Sequence, residues 1–214
     1  MKTLLLSSLV KVFKDTEPNF NEFNSFSCLK NESFSFQLAL LAETAEETSV
    51  TIEIDSDIKN NITPYIVKNI PFRKNKSHNY DSFHYDVNRK EFPDLLEPTN
   101  NTITLKPDEW TALWFEFKAD SSVTGEHIIK IILSSNGKTI EKIFTLNIID
   151  KDLPKQELLY TNWFHNDCLC TYYNVEPCSE EYWAIADRFI KNAREHGVNM
   201  LLTPVFTPPL DTAV

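Results

Sequence analysis

Glycine is scarce in this chain, and its scarcity excludes several large protein classes. The sequence has 214 residues and only 3 glycines, whereas average usage of about 7% corresponds to about 15. P-loop proteins, protein kinases and Rossmann dehydrogenases bind phosphates with loops that need several glycines within a few residues. Such loops are impossible here, so we expect no nucleotide-binding function of these kinds.

Long apolar runs and a basic surplus are also missing. No apolar run reaches the roughly 18 residues that a membrane-spanning helix needs, so we expect no membrane partner. The chain carries 21 basic and 31 acidic side chains, a net charge of −10. Because nucleic-acid binders present basic surfaces, we expect no nucleic-acid partner either.

The few cysteines do not suggest a secreted protein. There are 4, and Cys28 lies far from the three between Cys168 and Cys178, whereas small secreted scaffolds are short chains dense in paired cysteines. Residues 1–10 loosely resemble a signal peptide. However, Lys11 and Lys14 interrupt the apolar stretch, and no small-x-small cleavage site follows. We therefore predict a cytoplasmic protein.

Alternating apolar and polar residues dominate the first 150 positions. The pattern has period two at residues 33–40, 50–55 and 110–118, which is typical of strands with one buried face. The Asn136-Gly137 pair between two β-branched runs predicts a hairpin. Closely spaced strands without an intervening helix predict an antiparallel β-sandwich over residues 1–150 and a mainly β fold class.

The pattern changes after this sandwich. Residues 151–157 are predicted to be a linker. One amphipathic helix is predicted at residues 179–196, because Ser179 is a suitable N-cap and Gly197 fits the position just after the helix.

Strands flank this helix at residues 158–164 and 198–205. Residues 158–214 therefore form a βαβ unit with parallel strands. Parallel sheets are covered on both faces, and one such unit is too small to be a domain. We therefore expect the chain to be the N-terminal part of a longer protein, truncated within a (β/α)8 barrel.

Four segments together resemble a known bacterial family. They are residues 92–98 (FPDLLEP), 109–115 (EWTALWF), 161–168 (TNWFHNDC) and 202–212 (LTPVFTPPLDT). The chain is similar in these segments to glycoside hydrolase family 123, the β-N-acetylgalactosaminidase-like group. The resemblance implies an N-terminal β-sandwich that braces a catalytic (β/α)8 barrel, with a carbohydrate substrate and the rest of the barrel in cis as partners.

The resemblance also implies a mechanism, but it assigns no catalytic residue in this chain. Family catalysis resembles substrate-assisted retaining hydrolysis by an adjacent Asp-Glu pair on a later barrel strand, and glycoside hydrolysis in general needs a carboxylic acid beside the scissile bond. The sole Asp-Glu pair here, Asp108-Glu109, precedes a sandwich strand. We therefore predict that this chain alone is inactive.

Barrel active sites lie at the C-terminal ends of the strands, which defines the candidate substrate-binding residues. They are Trp163, His165 and Asp167 after the first strand, and Thr203 and Phe206 after the second. Aromatic rings stack on sugar faces, and polar side chains bond to hydroxyl groups. The alternative is that these residues cap the strands and pack on the next loop.

Three other groups have weaker functional interpretations. His165, Cys168, Cys170 and Cys178 include zinc-ligand types, but paired knuckles are absent, so free thiols are the favoured interpretation and no metal or cofactor is assigned. The polar segment at 71–98, with His78, His84, Tyr85 and Arg89, either binds a ligand or packs locally. Trp110 and Trp114 lie four apart on one strand and form either a carbohydrate platform or, as we favour, core.

Two other functions remain open. A non-catalytic carbohydrate-binding module would need an exposed aromatic platform on the sandwich. A structural or interaction domain would self-associate through exposed barrel strands, because an open sheet edge invites pairing.

Overall fold

Two five-stranded sheets form the first of two units in this computed structural model. The structure describes residues 1–71, 89–118 and 122–203. The chain divides between Leu153 and Pro154. No helix among the described residues is long and apolar enough to cross a membrane.

The two sheets follow the alternating segments of the sequence. In spatial order, the first sheet contains β1 (Lys2–Ser7), β3 (Ser33–Leu41), β8 (Trp110–Lys118), β5 (Ile62–Pro71) and β6 (Glu91–Pro98). The second contains β2 (Ser25–Lys30), β10 (Lys138–Asp152), β9 (Gly125–Ser135), β4 (Thr48–Asp55) and β7 (Thr102–Leu105). Among these strands, all pairs are antiparallel except β2 with β10. The predicted antiparallel sandwich is therefore confirmed.

The hairpin predicted at Asn136-Gly137 is the turn between β9 and β10. Ser135 pairs with Lys138 across it, and the φ angles of Asn136 and Gly137 are +49° and +72°. Two consecutive positive φ angles are the geometry of a type I′ turn, whose twist matches that of the flanking strands.

Aromatic rings join the two sheets at the centre of the sandwich. Phe36 on β3 stacks on Phe144 of β10 with 4.2 Å between centroids and 4° between planes. Phe115, the partner of Phe36 on β8, stacks on Phe36 at 5.1 Å. All three side chains are fully buried, as the period of two predicts for inward-facing positions.

The first sheet also has a buried outer face. Leu6, Ala39 and Trp110 point away from the central core and pack with Val10 and Val12, which belong to the segment after β1. The amide of Gln37 fixes this segment, because its Nε2 donates to the carbonyl oxygens of Ser7 and Val10 at 3.1 and 2.9 Å. Gln37 is one of the few buried polar side chains described, and these bonds compensate for its burial.

The second unit contains β11 (Thr161–Trp163), α1 (Asp167–Tyr173), α2 (Glu180–Glu195) and β12 (Met200–Leu202). The strands β11 and β12 are parallel, so the predicted βαβ unit after the sandwich is confirmed. Both strands are shorter than predicted. The helix α1 was not predicted, because seven residues are too few to establish a helical period.

Both predicted ends of α2 are confirmed. The Ser179 side chain accepts a hydrogen bond from the Tyr182 backbone N–H at 3.1 Å. At the other end Gly197 has a φ of +91°, and Val198 donates to the Ala193 carbonyl at 3.0 Å. This bond and the one from Gly197 to Arg194 form a Schellman motif.

We predict that truncating Phe144 destabilises the chain far more than truncating an exposed ring. Phe144→Ala removes the ring that stacks on Phe36 and leaves a cavity, so the free energy of unfolding should fall by about 3–5 kcal/mol. Urea unfolding followed by circular dichroism measures the change. The control is Phe20→Ala, because Phe20 is 60% exposed. Similar losses in the two variants would contradict the described core.

The buried thiol of Cys28 gives a second prediction. Burial, with a smaller contribution from the Glu32 carboxylate, raises the pKa of Cys28 to about 11. Because thiolate is the reactive form, iodoacetamide at pH 8 should modify the exposed Cys168 and Cys178 but leave Cys28 intact. Mass spectrometry of labelled peptides detects this difference, and urea should abolish it.

The same pKa predicts a pH dependence of stability. In the unfolded chain Cys28 loses its proton near pH 9, whereas the folded chain retains it to about pH 11. The stabilisation is therefore complete below pH 9 and decreases as the pH rises to 11. Cys28→Val, which cannot titrate, should lose less stability across this window. An identical pH profile for the variant would contradict the prediction.

Candidate functional site

The C-terminal ends of β11 and β12 lie side by side. Trp163 pairs with Leu202 in the parallel register. The Phe164 backbone N–H then donates to the Leu202 carbonyl at 2.8 Å, which extends the ladder by one residue. The two segments expected to contribute to a barrel active site therefore end at one sheet edge.

Trp163 and His165 form an aromatic pair at this edge. The two residues lie at positions i and i+2 of an extended segment, so their side chains point to the same face. Their rings stack with 5.7 Å between centroids and 28° between planes. The Trp163 side chain is 61% exposed. It therefore presents an aromatic surface that a ligand can reach.

Phe164 lies on the opposite face, which packs on the helices. Its side chain contacts the small core of the second unit. That core consists of Leu169, Tyr182, Ile185 and Ala186. The ring pair is therefore on the face that the helices leave uncovered.

Thr203 follows β12 and continues the register opposite Phe164. By strand alternation it belongs to the helix-packed face and not to the face of Trp163. Its hydroxyl oxygen is buried and has no hydrogen-bond partner in the described part of the chain. Thr203 and the aromatic pair thus lie at the same sheet edge on different faces.

The remaining two candidate residues are Asp167 and Phe206. Asp167 is the first residue of α1, and the turn before it is closed by a bond from the Cys168 N–H to the His165 carbonyl at 3.3 Å. Phe206 lies outside the described residues. Its predicted role stays a prediction.

The candidate zinc ligands are not brought together in the described part of the chain. The segment that contains Cys168 and Cys170 is helical, with Cys168 exposed and Leu169 buried between them. Cys178 is exposed on the loop before α2. Over the described ranges, no group of three or more His, Cys, Asp or Glu side chains is arranged to hold a metal ion.

The polar segment at 71–98 is described only in part. His78, His84 and Tyr85 lie outside the described residues. Arg89 is described, and its guanidinium lies 3.9 Å from the centroid of the Phe13 ring. It also hydrogen-bonds to Asp15, which lowers the pKa of that carboxyl. Arg89 therefore packs locally against residues that follow β1.

The two sandwich tryptophans have different environments. Trp110 is buried in the outer cluster of the first sheet, and its backbone N–H donates to the Lys14 carbonyl at 2.8 Å. The core interpretation is confirmed for Trp110. Trp114 is only half-buried, so the pair does not form one exposed platform.

Sequence reasoning missed one polar residue near the two strands. The Asn199 side chain bonds to the backbone of residues 158 and 160. Its only sequence signal is its type, since asparagine side chains commonly bond to nearby backbone groups. The two partners lie some forty positions earlier in the chain, so no local pattern identifies them.

One family model matches the C-terminal part of the chain. The family model "Glycoside hydrolase 123, catalytic domain", which describes the sequences of that domain, matches residues 163–213. The match begins at the last residue of β11. None of the curated proteins compared with this chain matches it significantly.

A solved structure of a member of that family is similar in fold. A family 123 glycoside hydrolase from Clostridium perfringens, solved in work on glycolipid glycan hydrolysis, matches with a TM-score of 0.75 and 14% identity. The match covers 94% of this chain but 37% of the hydrolase, so the chain spans well under half its length. A FixG-related protein from Vibrio parahaemolyticus matches 57% of this chain and 82% of its own, with 16% identity and a TM-score of only 0.34.

The expected resemblance is therefore confirmed at two levels. At 14% identity the structural match shows the fold alone, while the catalytic-domain match contributes sequence similarity over residues 163–213. The chain is similar in fold to a family 123 glycoside hydrolase over nearly its whole length and similar in sequence to the catalytic domain of that family from Trp163 onward.

Proposed function

We propose that this chain is the sandwich and the first strand-helix-strand unit of a glycoside hydrolase, with a carbohydrate as substrate. One observation carries the proposal. The catalytic-domain match starts at Trp163, where an exposed indole stacks on His165 at the C-terminal end of β11. This is the end of a barrel strand at which active sites are built.

The aromatic pair suits a sugar. An indole face offers flat apolar surface to the C–H groups of a pyranose ring, while nearby polar groups bond to its hydroxyls. We assign this role to Trp163 and His165, with Asp167, Thr203 and Phe206 as further substrate-binding residues. The helix-packed position of Thr203 makes it the most peripheral of the described members.

The exposed apolar residues on the strands of the second unit favour a larger sheet. The side chains of Met200, Leu201 and Leu202 are all exposed, although they alternate between the two faces of β12. Parallel sheets are normally buried on both faces. We infer that further barrel strands and helices in cis cover them, and that the sandwich braces this barrel.

Catalysis is assigned to residues outside this chain. Hydrolysis needs a carboxylic acid beside the glycosidic bond, and the matched segment contains no adjacent Asp-Glu pair. Asp108-Glu109 directly precedes β8 of the sandwich, and Asp108 adopts a turn conformation with a φ of +54°. We therefore propose that the 214-residue chain has no activity by itself. We also place the protein in the cytoplasm, because the spacing of its cysteines is not that of a secreted disulfide framework.

Activity of a longer chain that carries a complete barrel tests the proposal. We expect it to cleave at least one of a panel of chromogenic β-glycosides that includes N-acetylgalactosaminide and N-acetylglucosaminide, while the 214-residue chain cleaves none. Absence of cleavage by both chains would contradict the hydrolase proposal. Glycan binding by the 214-residue chain in that case would favour the carbohydrate-binding module.

Removing the Trp163 ring should weaken substrate binding. In the longer chain, Trp163→Ala is expected to lower kcat/KM about tenfold, as one lost stacking contact of roughly 1–2 kcal/mol implies, with most of the change in KM. Initial-rate kinetics measure it. Trp183→Ala is the control, because Trp183 lies on α2 and is 52% exposed. Equal effects of the two substitutions would remove Trp163 from the site.

The exposed strands also favour association when the rest of the barrel is missing. Leu158 and Leu159 before β11 are exposed, as are the residues of β12. We propose that the 214-residue chain self-associates through these strands. Sedimentation of the chain at increasing concentration tests this, and a monomer at all concentrations would contradict it.

A further inference from the structure

We propose that Asn199 is a positioning residue that sets the register of β11 against β12 and thereby places Trp163 at the sheet edge. The proposal rests on the proposed function where it concerns activity. Its structural part concerns only the two strands and stands on their contacts.

The Asn199 side chain bonds to the backbone of the segment before β11, where the pairing of the two strands has not yet begun. Its Oδ1 accepts from the Tyr160 backbone N–H at 2.8 Å, and its Nδ2 donates to the Leu158 carbonyl at 2.9 Å. The backbone N–H of Asn199 donates to the Tyr160 carbonyl at 3.2 Å. One residue thus engages three backbone groups just before β11 begins.

The register of the two strands needs such a determinant. The ladder has only three pairs, from Thr161 with Met200 to Trp163 with Leu202. All residues of β12 are apolar, so a polar-apolar pattern does not select one face. A slip of one residue moves every side chain of a strand to the opposite face relative to its partner. It would bring Trp163 out of line with Leu202.

Asn199 is itself fixed by the end of α2. It lies two residues after Gly197, whose N–H bonds to the Arg194 carbonyl at 3.1 Å, and one after Val198, which bonds to Ala193. This Schellman motif holds the backbone that leads into β12. The position of α2 is therefore transmitted through Asn199 to the start of β11.

A second amide supports the same connection. The Nε2 of Gln156 lies within hydrogen-bond distance of the carbonyl oxygens of Leu158 and Gly197, at 3.1 and 3.3 Å. The Leu158 carbonyl thus accepts from both Gln156 and Asn199. Of these two amides, only that of Asn199 also bonds to Tyr160. Its bonds to Leu158 and Tyr160 hold the segment before β11 at two points, and so fix its direction as well as its distance from Asn199.

The Asn199 amide acts both as an acceptor, for the Tyr160 N–H, and as a donor, to the Leu158 carbonyl. Substitutions that remove one or both functions therefore test its role. Asn199→Ala removes the acceptor and the donor. Asn199→Asp keeps the acceptor for the Tyr160 N–H but places a second oxygen against the Leu158 carbonyl. Asn192→Ala is the matched control, because Asn192 is exposed on α2 and its side chain bonds to neither strand within the described ranges.

Hydrogen–deuterium exchange of the 214-residue chain tests the structural part. The Phe164 N–H bonds to the Leu202 carbonyl only in the described register. Asn199→Ala and Asn199→Asp should each speed its exchange at least about fivefold, because both lose the donor to the Leu158 carbonyl, and Asn192→Ala should leave it unchanged. Unchanged exchange in Asn199→Ala would overturn the proposal whatever the activity.

Kinetics of the longer chain test the role in substrate binding. Asn199→Ala should lower kcat/KM about three- to tenfold, mainly through KM, because Trp163 contacts the sugar and not the reacting bond. An equal fall in kcat with unchanged KM would overturn the positioning role. If the unsubstituted longer chain has no activity, the proposed function fails, and the exchange experiment alone decides whether Asn199 sets the register.

Discussion

The stack of Phe36 on Phe144 joins the two sheets of the sandwich, and the other layers of the first unit depend on it. Each ring lies on an interior strand, β3 in one sheet and β10 in the other. Because β3 is fixed from its inner side, its outer side can carry Ala39 and Gln37, which bind the segment after β1. The hydrophobic effect supplies most of this stability, while the ring geometry specifies how the sheets align.

The second unit is held together in a different way. Its core has four buried side chains, and its two strands share three pairs. Directed bonds therefore carry more of the organisation: the Ser179 cap, the Schellman motif after α2 and the amide of Asn199. Few buried contacts and many exposed hydrogen bonds mark regions of low local stability.

The sequence predicts the elements of this fold better than their junctions. Alternation over residues 33–40 identified β3 and its buried face, and Ser179 and Gly197 identified the ends of α2, because these signals lie within a few residues of one another. The helix α1 and the register of β11 depend on contacts between distant residues, such as Leu169 with Ile185 and Asn199 with Tyr160. The aromatic pair at the site was identified by type and position, but that Thr203 falls on the other face required the observed register.

The covered outer face of the first sheet makes the first residues of the chain important for solubility. Residues 8–14 supply Val10 and Val12 to that face, and β1 immediately before them forms an edge of the same sheet. A chain without residues 1–12 would lose an edge strand and its cover together. The resulting product would expose the apolar side chains of Ala39 and Trp110 beside an unpaired β3, a combination that favours aggregation. The first twelve residues are therefore a determinant of solubility for this chain.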